Sequence, residues 1–279
     1  MTDRRLLRSN GRVAHLSLQG QVAAERFVQG RMHRVTGTKA ALLDRPGGGR
    51  ERELLYGQGF TVLEEEGGHA FGFAERDGYV GYIAADRLTP RDAPPTHLVH
   101  VRQTWAKAAP DLKAGDEAMP LCHGSQVRLT GADGAWARID GGAWVPAVHL
   151  APIDARAADP VAVAETYLGA PYLWGGNSSL GIDCSGLVQA ACLACGIACP
   201  GDSDQQEAEL GQALPADAEL TRGDLLFWKG HVALVVDDAR MIHANAHHMA
   251  VAYEGMTEAI ARIGAQGGGG VTARRRLLR

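Results

Sequence analysis

The sequence predicts a multidomain chain of two small all-β barrels followed by an α+β domain, and three observations lead to it. Thirty-six glycines among 279 residues suit a turn-rich β protein better than a helical bundle. From Gly30 to Ala158, short strand-like runs broken by Gly, Pro and Asp contain an internal repeat with matching points about 62 to 65 residues apart. Beyond Asp159 apolar residues recur at helical spacing, and β-rich runs follow.

Residues 1–29 are an N-terminal segment. In the first copy of the repeat, residues 30–92, Gly57-Gln58-Gly59-Phe60-Thr61-Val62-Leu63 leads to Asp77-Gly78-Tyr79-Val80-Gly81-Tyr82-Ile83 and closes on Arg87-Leu88-Thr89-Pro90. In the second, residues 97–153, Gly124-Ser125-Gln126-Val127-Arg128-Leu129 leads to Gly141-Gly142-Ala143-Trp144-Val145 and closes on His149-Leu150-Ala151-Pro152. The second copy alternates, with Trp136, Arg138 and Asp140 set against Ala137 and Ile139. The length of each copy and its closing Gly-Trp/Tyr-Val motif resemble bacterial SH3 domains.

Residues 159–279 read as the α+β domain. Asp159-Pro160 supplies an N-cap followed by proline at the first helical position, and Val161, Ala164, Tyr167 and Leu168 carry a helix as far as Gly169. A second helix runs from Cys184 to Cys195, with Leu187, Val188 and Ala191 on one side and Gly196 as its stop. Strands are expected at 224–228, 231–236, 241–244, 249–253 and 271–278, with a short helix at 257–263.

Composition narrows the function. The hydrophobic fraction of 46% is that of a globular protein. A net charge of −4 and a pI near 6.3 lack the basic footprint of a nucleic-acid binder. The Arg274-Arg275-Arg276 run reads as a strand or solvated tail. No window reaches the roughly 18 apolar residues of a membrane span, and the charged opening stretch has no apolar segment behind it. Five cysteines, Cys122, Cys184, Cys192, Cys195 and Cys199, make a poor disulfide framework. The expectation is a cytoplasmic monomer without membrane or nucleic-acid partners.

Chemistry concentrates in the third domain. Asp183-Cys184-Ser185-Gly186 lies between a glycine-rich loop, 175–181, and the apolar start of a helix. A thiol there is favoured as thiolate by the helix N-terminus, and the N–H groups around it can receive negative charge developing on a carbonyl oxygen. The bland alternative is a small buried hydrophobe. Gly230-His231-Val232 and Ile242-His243-Ala244 each open a strand with a histidine. Hairpin pairing can bring the two rings together, the second fixing the tautomer of the first, although histidines on strands are more often satisfied core residues.

Tyr172-Leu173-Trp174-Gly175-Gly176, Asp183-Cys184-Ser185-Gly186, Gly223-Asp224-Leu225, Gly230-His231-Val232 and Ile242-His243-Ala244, in that order, resemble the NlpC/P60 family of cysteine peptidases. The resemblance spans about Pro160 to Ala252, and two upstream SH3-like copies match an architecture of that family. It implies a papain-like NlpC/P60 catalytic domain without cofactor or metal, hydrolysing the γ-D-glutamyl–diaminopimelate bond of murein peptides. Carried over by motif, Cys184 is the nucleophile, His231 the general base and His243 the orienting residue. Tyr172 stands near the oxyanion, and Asp183, Ser185, Asp202 and Ser203 position substrate. Gly201 stands where the family more often has Arg. In relatives of this layout the first SH3-like domain reads a free N-terminal L-Ala amine, so that L-Ala-γ-D-Glu is released. Glu51 or Glu53 and Tyr79 or Tyr82 are the candidate readers, and a solvated charge and a core aromatic are their plainer roles. This restricted form suits recycling of soluble murein peptides.

Other readings stay open at this point. Cys192, Cys195 and Cys199, or His243 with His247 and His248, have spacings seen in metal sites. A non-catalytic peptidoglycan-binding module, a wall-lytic endopeptidase on intact peptidoglycan, and a cysteine amidase or acyltransferase on another amide are the competing functions.

Overall fold

The computed structural model describes residues 3–114 and 118–278, and the chain divides into two compact units, Met1–Asp154 and Ala155–Arg279. In the first, β1 (Val13–His15) lies parallel to β2 (Arg26–Val28). Val13 and Val28 pack with Leu63, Phe71 and Val80, while Arg12 and Arg26 pair with Glu64. An apolar seam with a charged rim thus fastens the N-terminal segment to the module that follows.

That module is an antiparallel sheet of β3 (Arg31–Val35), β4 (Lys39–Leu43), β5 (Arg50–Leu55), β6 (Gly59–Glu66), β7 (His69–Ala74), β8 (Val80–Ala84) and β9 (Leu88–Pro90), in the order β5-β4-β8-β7-β6-β3-β9. It is not the closed barrel that the sequence predicts. Strand β4 meets β8 through one registered pair, Leu43↔Tyr82, and no ladder joins β5 to β9 among the described residues. A bulge between Val62 and Glu64 bends β6. The bent sheet encloses Val35, Leu42, Leu54, Phe60 and Ile83, so the apolar face is buried without hydrogen-bonded closure.

The second copy divides further, into three small sheets. Its strands are β10 (His97–Val99), β11 (Gln103–Ala106), β12 (Met119–Cys122), β13 (Gln126–Val127), β14 (Leu129–Asp133), β15 (Trp136–Ile139), β16 (Trp144–Pro146) and β17 (Leu150–Pro152). They pair as β13-β10-β17, β11-β12 and β14-β15-β16. The predicted alternation is present, for Ala137 and Ile139 are buried and Arg138 is exposed. Both copies close in the same way, with a strand, one 3-10 turn (Ala85–Arg87 or Ala147–His149) and a three-residue strand.

The two copies meet at Tyr56 and Gly57. Tyr56 is buried among Val99, Leu121, Ile139 and Val145 of the second copy, and its carbonyl accepts from Gln126 N at 2.8 Å. Gly57 has φ +75°, and a Cβ there would overlap the Gln126 carbonyl oxygen. Gly57→Ala is therefore expected to destabilise the first unit by about 2–4 kcal/mol, from left-handed strain plus overpacking, read as a lowered urea midpoint. A midpoint unchanged from wild type would show that the junction gives way freely.

The second unit begins with α1 (Pro160–Glu165), where Asp159 Oδ1 accepts from Val161 N at 2.9 Å and proline opens the helix. The helix stops short of the expected Leu168. Thr166 Oγ1 donates to the Val163 carbonyl at 2.7 Å, and turns lead to Gly169 at φ +75°. A hairpin of β18 (Asn177–Ser178) and β19 (Gly181–Ile182) precedes α2 (Cys184–Ala194), α3 (Ser203–Glu209) and β20 (Gln212–Leu214). Then come β21 (Leu225–Trp228), β22 (His231–Val235), β23 (Arg240–Asn245), β24 (Ala250–Gly255), α4 (Met256–Ile263) and β25 (Ala273–Arg276).

Strands β20-β25-β21-β22-β23-β24 form one antiparallel sheet. Leu187, Val188, Ala191 and Cys192 of α2 share a core with Val232, Leu234, Ile242 and Ala244. Ala259 and Ile260 of α4 join Leu226, Trp228, Ala233 and Met241. The expected α+β domain is present, with a helix covering each face of its sheet. No helix among the described residues is long and apolar enough to cross a membrane.

Candidate active site

Cys184 is the first residue of α2 and is 7% exposed. Asp183 caps the helix, its Oδ1 accepting from Gly186 N at 2.7 Å and from Ser185 Oγ at 3.2 Å. Its Oδ2 accepts from Gly175 N at 2.8 Å. One carboxylate therefore ties the helix start to the glycine-rich loop. The loop comes so close that a Cβ on Gly186 would collide with the Gly176 carbonyl oxygen, and a Cβ on Gly176 with that of Gly181. Gly186→Ala, worth about 1 kcal/mol in favour of an isolated helix, is here expected to destabilise the second unit by about 1–3 kcal/mol. Thermal unfolding checks the sign, and a raised Tm would contradict the close packing.

Two buried amides fix the helix from the other side. Gln206 on α3 donates through Nε2 to the carbonyls of Ser185 and Pro200, both at 2.9 Å. Gln189 accepts from Asn177 Nδ2 and donates to the Cys199 carbonyl, both at 3.1 Å. The first amide holds Ser185, next to Cys184, and the second pins the middle of α2, while the helix dipole at its N-terminus favours a thiolate there.

The histidines stand on adjacent strands. Gly230, at φ +76°, lets the chain turn from Trp228 directly into His231, its partner across the hairpin. His231 Nε2 and His243 Nδ1 are 2.8 Å apart, and His243 Nε2 lies 2.9 Å from Glu254 Oε2. Arg262 on α4 grips the same carboxylate, Nε to Oε1 and Nη2 to Oε2, both at 2.7 Å. The indole of Trp228 leans on His231, ring centres 5.7 Å apart. Cys184 opens the helix that packs on β22 and β23, where Leu187, Val188 and Ala191 meet Val232, Leu234 and Ile242.

Electrostatics follow from burial. Desolvation pushes His243 down to about 4 and, with the neighbouring His243, pushes His231 well below its ordinary value. The hydrogen bond from Arg262 holds Glu254 down to about 2. Near neutral pH both imidazoles are uncharged and Glu254 is a carboxylate. Glu254 and Arg262 escaped the sequence reading. The available signal was an acid on β24 two residues past Ala252, the register partner of His243, and hence on the same face.

The remaining predicted residues are dispersed. Tyr172 packs against the core that holds Cys184, and its N–H donates to the Met249 carbonyl at 2.9 Å. Asp202 and Ser203 form the start of α3. In the first unit, Glu53 is buried beside Lys39 Nζ at 2.7 Å and Arg50 Nη1 at 3.4 Å. Glu51 pairs with Arg4. Tyr79 belongs to the sheet core, and Tyr82 stacks at 5.0 Å on Phe71. Of the metal-like spacings, Cys192 is a core residue. Ligand-type atoms of His243, His248 and Glu254 lie within 4.8 Å of one another, but a cation there would meet the fixed charge of Arg262.

Residues 169–262 match the NlpC/P60 family model, and residues 42–88 match the bacterial dipeptidyl-peptidase SH3 domain. The chain is 26% identical over 225 residues to a gamma-D-glutamyl-L-lysine dipeptidyl-peptidase of Bacillus cereus, a match covering 70% of this chain and 67% of the relative. It is 35% identical over 122 residues to the Bacillus subtilis protein of that name, covering 41% of this chain and 40% of the relative. The crystal structure of an NlpC/P60 family protein from Bacillus cereus superimposes with a TM-score of 0.74 at 22% identity, over 89% of this chain and all of that one, which establishes the shared fold. The chain thus carries an NlpC/P60 domain, of the cysteine-peptidase kind, with Cys184 at its helix mouth, and ahead of it an SH3 domain of the bacterial dipeptidyl-peptidase type.

Proposed function

We propose that the chain is a dipeptidyl-peptidase of murein-peptide recycling, cutting the γ-D-glutamyl–diamino acid bond and releasing L-Ala-γ-D-Glu from peptides with a free N-terminal L-Ala. The observation that carries this reading is the His231–His243 pair, 2.8 Å apart on adjacent strands of the sheet against which α2, opened by Cys184, packs. The names of the two Bacillus relatives, both gamma-D-glutamyl-L-lysine dipeptidyl-peptidases, support the bond type. Residues 97–153 are read as a second SH3-like module because they repeat the closing strand–turn–strand of the first. The protein is read as a cytoplasmic monomer.

In this mechanism His231 takes the thiol proton of Cys184 as sulfur attacks the γ-glutamyl carbonyl. Neutral, buried imidazole makes proton transfer part of the attack. The oxyanion is received by the Cys184 N–H and the Tyr172 hydroxyl. The imidazolium then protonates the departing amine, and water hydrolyses the thioester. Asp183 and Ser185, then Asp202 and Ser203, shape the glutamyl side of the cleft. Glu51 or Glu53, with Tyr79 or Tyr82, is read as the group that takes the free amine.

Mass spectrometry of digests of L-Ala-γ-D-Glu-meso-diaminopimelate, its L-lysine analogue, the N-acetylated peptide and intact sacculi tests the reading. Cleavage of the free-amine peptides alone is the expected outcome. Cleavage of sacculi or of the N-acetylated peptide would replace it with a wall-lytic endopeptidase, and no cleavage of any would remove it.

A further inference from the structure

The Arg262–Glu254–His243–His231 chain has an order that reaches the base itself. The geometry points to Glu254, held by Arg262, as a positioning residue that fixes the tautomers of both histidines and leaves Nδ1 of His231 as the basic nitrogen. This rests on the reading of His231 as general base.

The proton positions follow one from the next. A guanidinium keeps its charge in a protein and only donates, and Arg262 donates to both oxygens of Glu254 at 2.7 Å. The carboxylate so gripped stays ionised, with its pKa down to about 2, and can only accept. The nitrogen 2.9 Å away, His243 Nε2, must therefore carry hydrogen. Burial keeps His243 neutral, so its Nδ1 is bare and can only accept. At 2.8 Å from that atom, His231 Nε2 must be the donor. Neutral His231 then has a bare Nδ1, the only lone pair in the chain left to take a thiol proton.

The same order explains why the carboxylate matters to a base that it does not touch. A protonated His243 would donate from both nitrogens and force His231 Nε2 to accept, moving the His231 proton to Nδ1 and removing the base. The charged and titratable groups around the pair are Glu254 on β24, Arg262 on α4 and His248 in the turn after β23. Glu254 alone among them is an anion. It also favours the imidazolium that forms on His231 during attack, because it raises the proton affinity of both rings.

The test has a spectroscopic arm and a kinetic arm. In Cys184→Ala protein labelled at histidine with ¹⁵N, long-range ¹H–¹⁵N correlation near pH 7 is expected to find the Nε2–H tautomer at both His231 and His243. In Glu254→Gln, whose amide can donate as well as accept, the two should become mixtures. An Nδ1–H tautomer at either ring of the parent protein, or no change in Glu254→Gln, overturns the inference. In the active protein, Glu254→Gln is expected to lower kcat about 10- to 100-fold, less than loss of a directly bonded orienting carboxylate, with KM nearly unchanged. The acid limb of kcat/KM should move to lower pH, since an anion near the imidazolium has gone. Arg262→Lys should restore most of what Arg262→Met loses, because it keeps the charge beside Glu254. A loss confined to KM, or an unmoved acid limb, leaves Glu254 a structural residue. If wild-type protein cuts no murein peptide, the functional reading fails, and the NMR arm still decides the tautomers.

Discussion

Cys184→Ala is expected to abolish hydrolysis of L-Ala-γ-D-Glu-diamino acid peptides, with kcat/KM falling about 10⁵- to 10⁶-fold, as when the nucleophile of a coupled catalytic unit is removed. Its cost in stability should be small. The thiol is one heavy atom in a core already filled by Leu187, Val188, Val232 and Ile242, and the helix cap is made by Asp183 rather than by the cysteine. His231→Ala should match the activity loss, since a thiol at the helix mouth without its base attacks slowly. The double variant should be no slower than either single one, because the two act as a unit. Progress curves by chromatography, with circular dichroism beside them, separate the two effects. Residual activity above about 1% of wild type in folded Cys184→Ala, far over the background for a lost nucleophile, would move the nucleophile elsewhere.

Much of the second unit was legible because its signals are local. Asp159-Pro160 wrote its own helix start, and Gly196, at φ +78°, its stop after α2. Cys184 opens its helix as the residue order predicts, and the pairing of the His231 and His243 rings follows from the hairpin. What was missed lacks a local signal. Ser203–Glu209 is a helix without an apolar stripe, its buried face made of Gln205 and Gln206. Hence neither α3 nor the amide that steadies Ser185 was visible. Glu254 and Arg262 lie on either side of a strand–helix boundary, where no single periodicity spans both. In the first unit the repeat was legible through its closing turns, but barrel closure was not. Closure depends on which edges pair, and pairing is a long-range property that strand length and alternation leave open.

Folding stability is expected to fall as the solution is acidified from pH 6.5 towards 4, in both units, for one physical reason. His243 in the second unit and His123 in the first are each pushed by burial down to about 4, against an ordinary 6.5. Below pH 6.5 the unfolded chain takes up a proton at each position that the folded chain refuses until about pH 4. The unfolded state binds more protons throughout that window, so stability drops as pH falls, by about 1.4 kcal/mol per pH unit for each group. Each histidine accounts for about 3 kcal/mol at most by pH 4. Above pH 6.5 neither contributes. Glu254, whose folded value is depressed to about 2 by Arg262, adds loss of the same sign at still lower pH, so nothing in the site offsets the histidines. Hydrogen exchange under increasing urea at pH 7.5, 6.5 and 5, read separately over residues 3–114 and 160–278, measures both units in one sample. Midpoints should fall in each between pH 6.5 and 5. His123→Asn should flatten the dependence of the first unit and leave that of the second untouched, because the two histidines belong to separate cores. Midpoints level from pH 7.5 to 5 would mean that the buried rings already carry protons when folded. That would also undo the neutral His243 on which the tautomer order of the site depends.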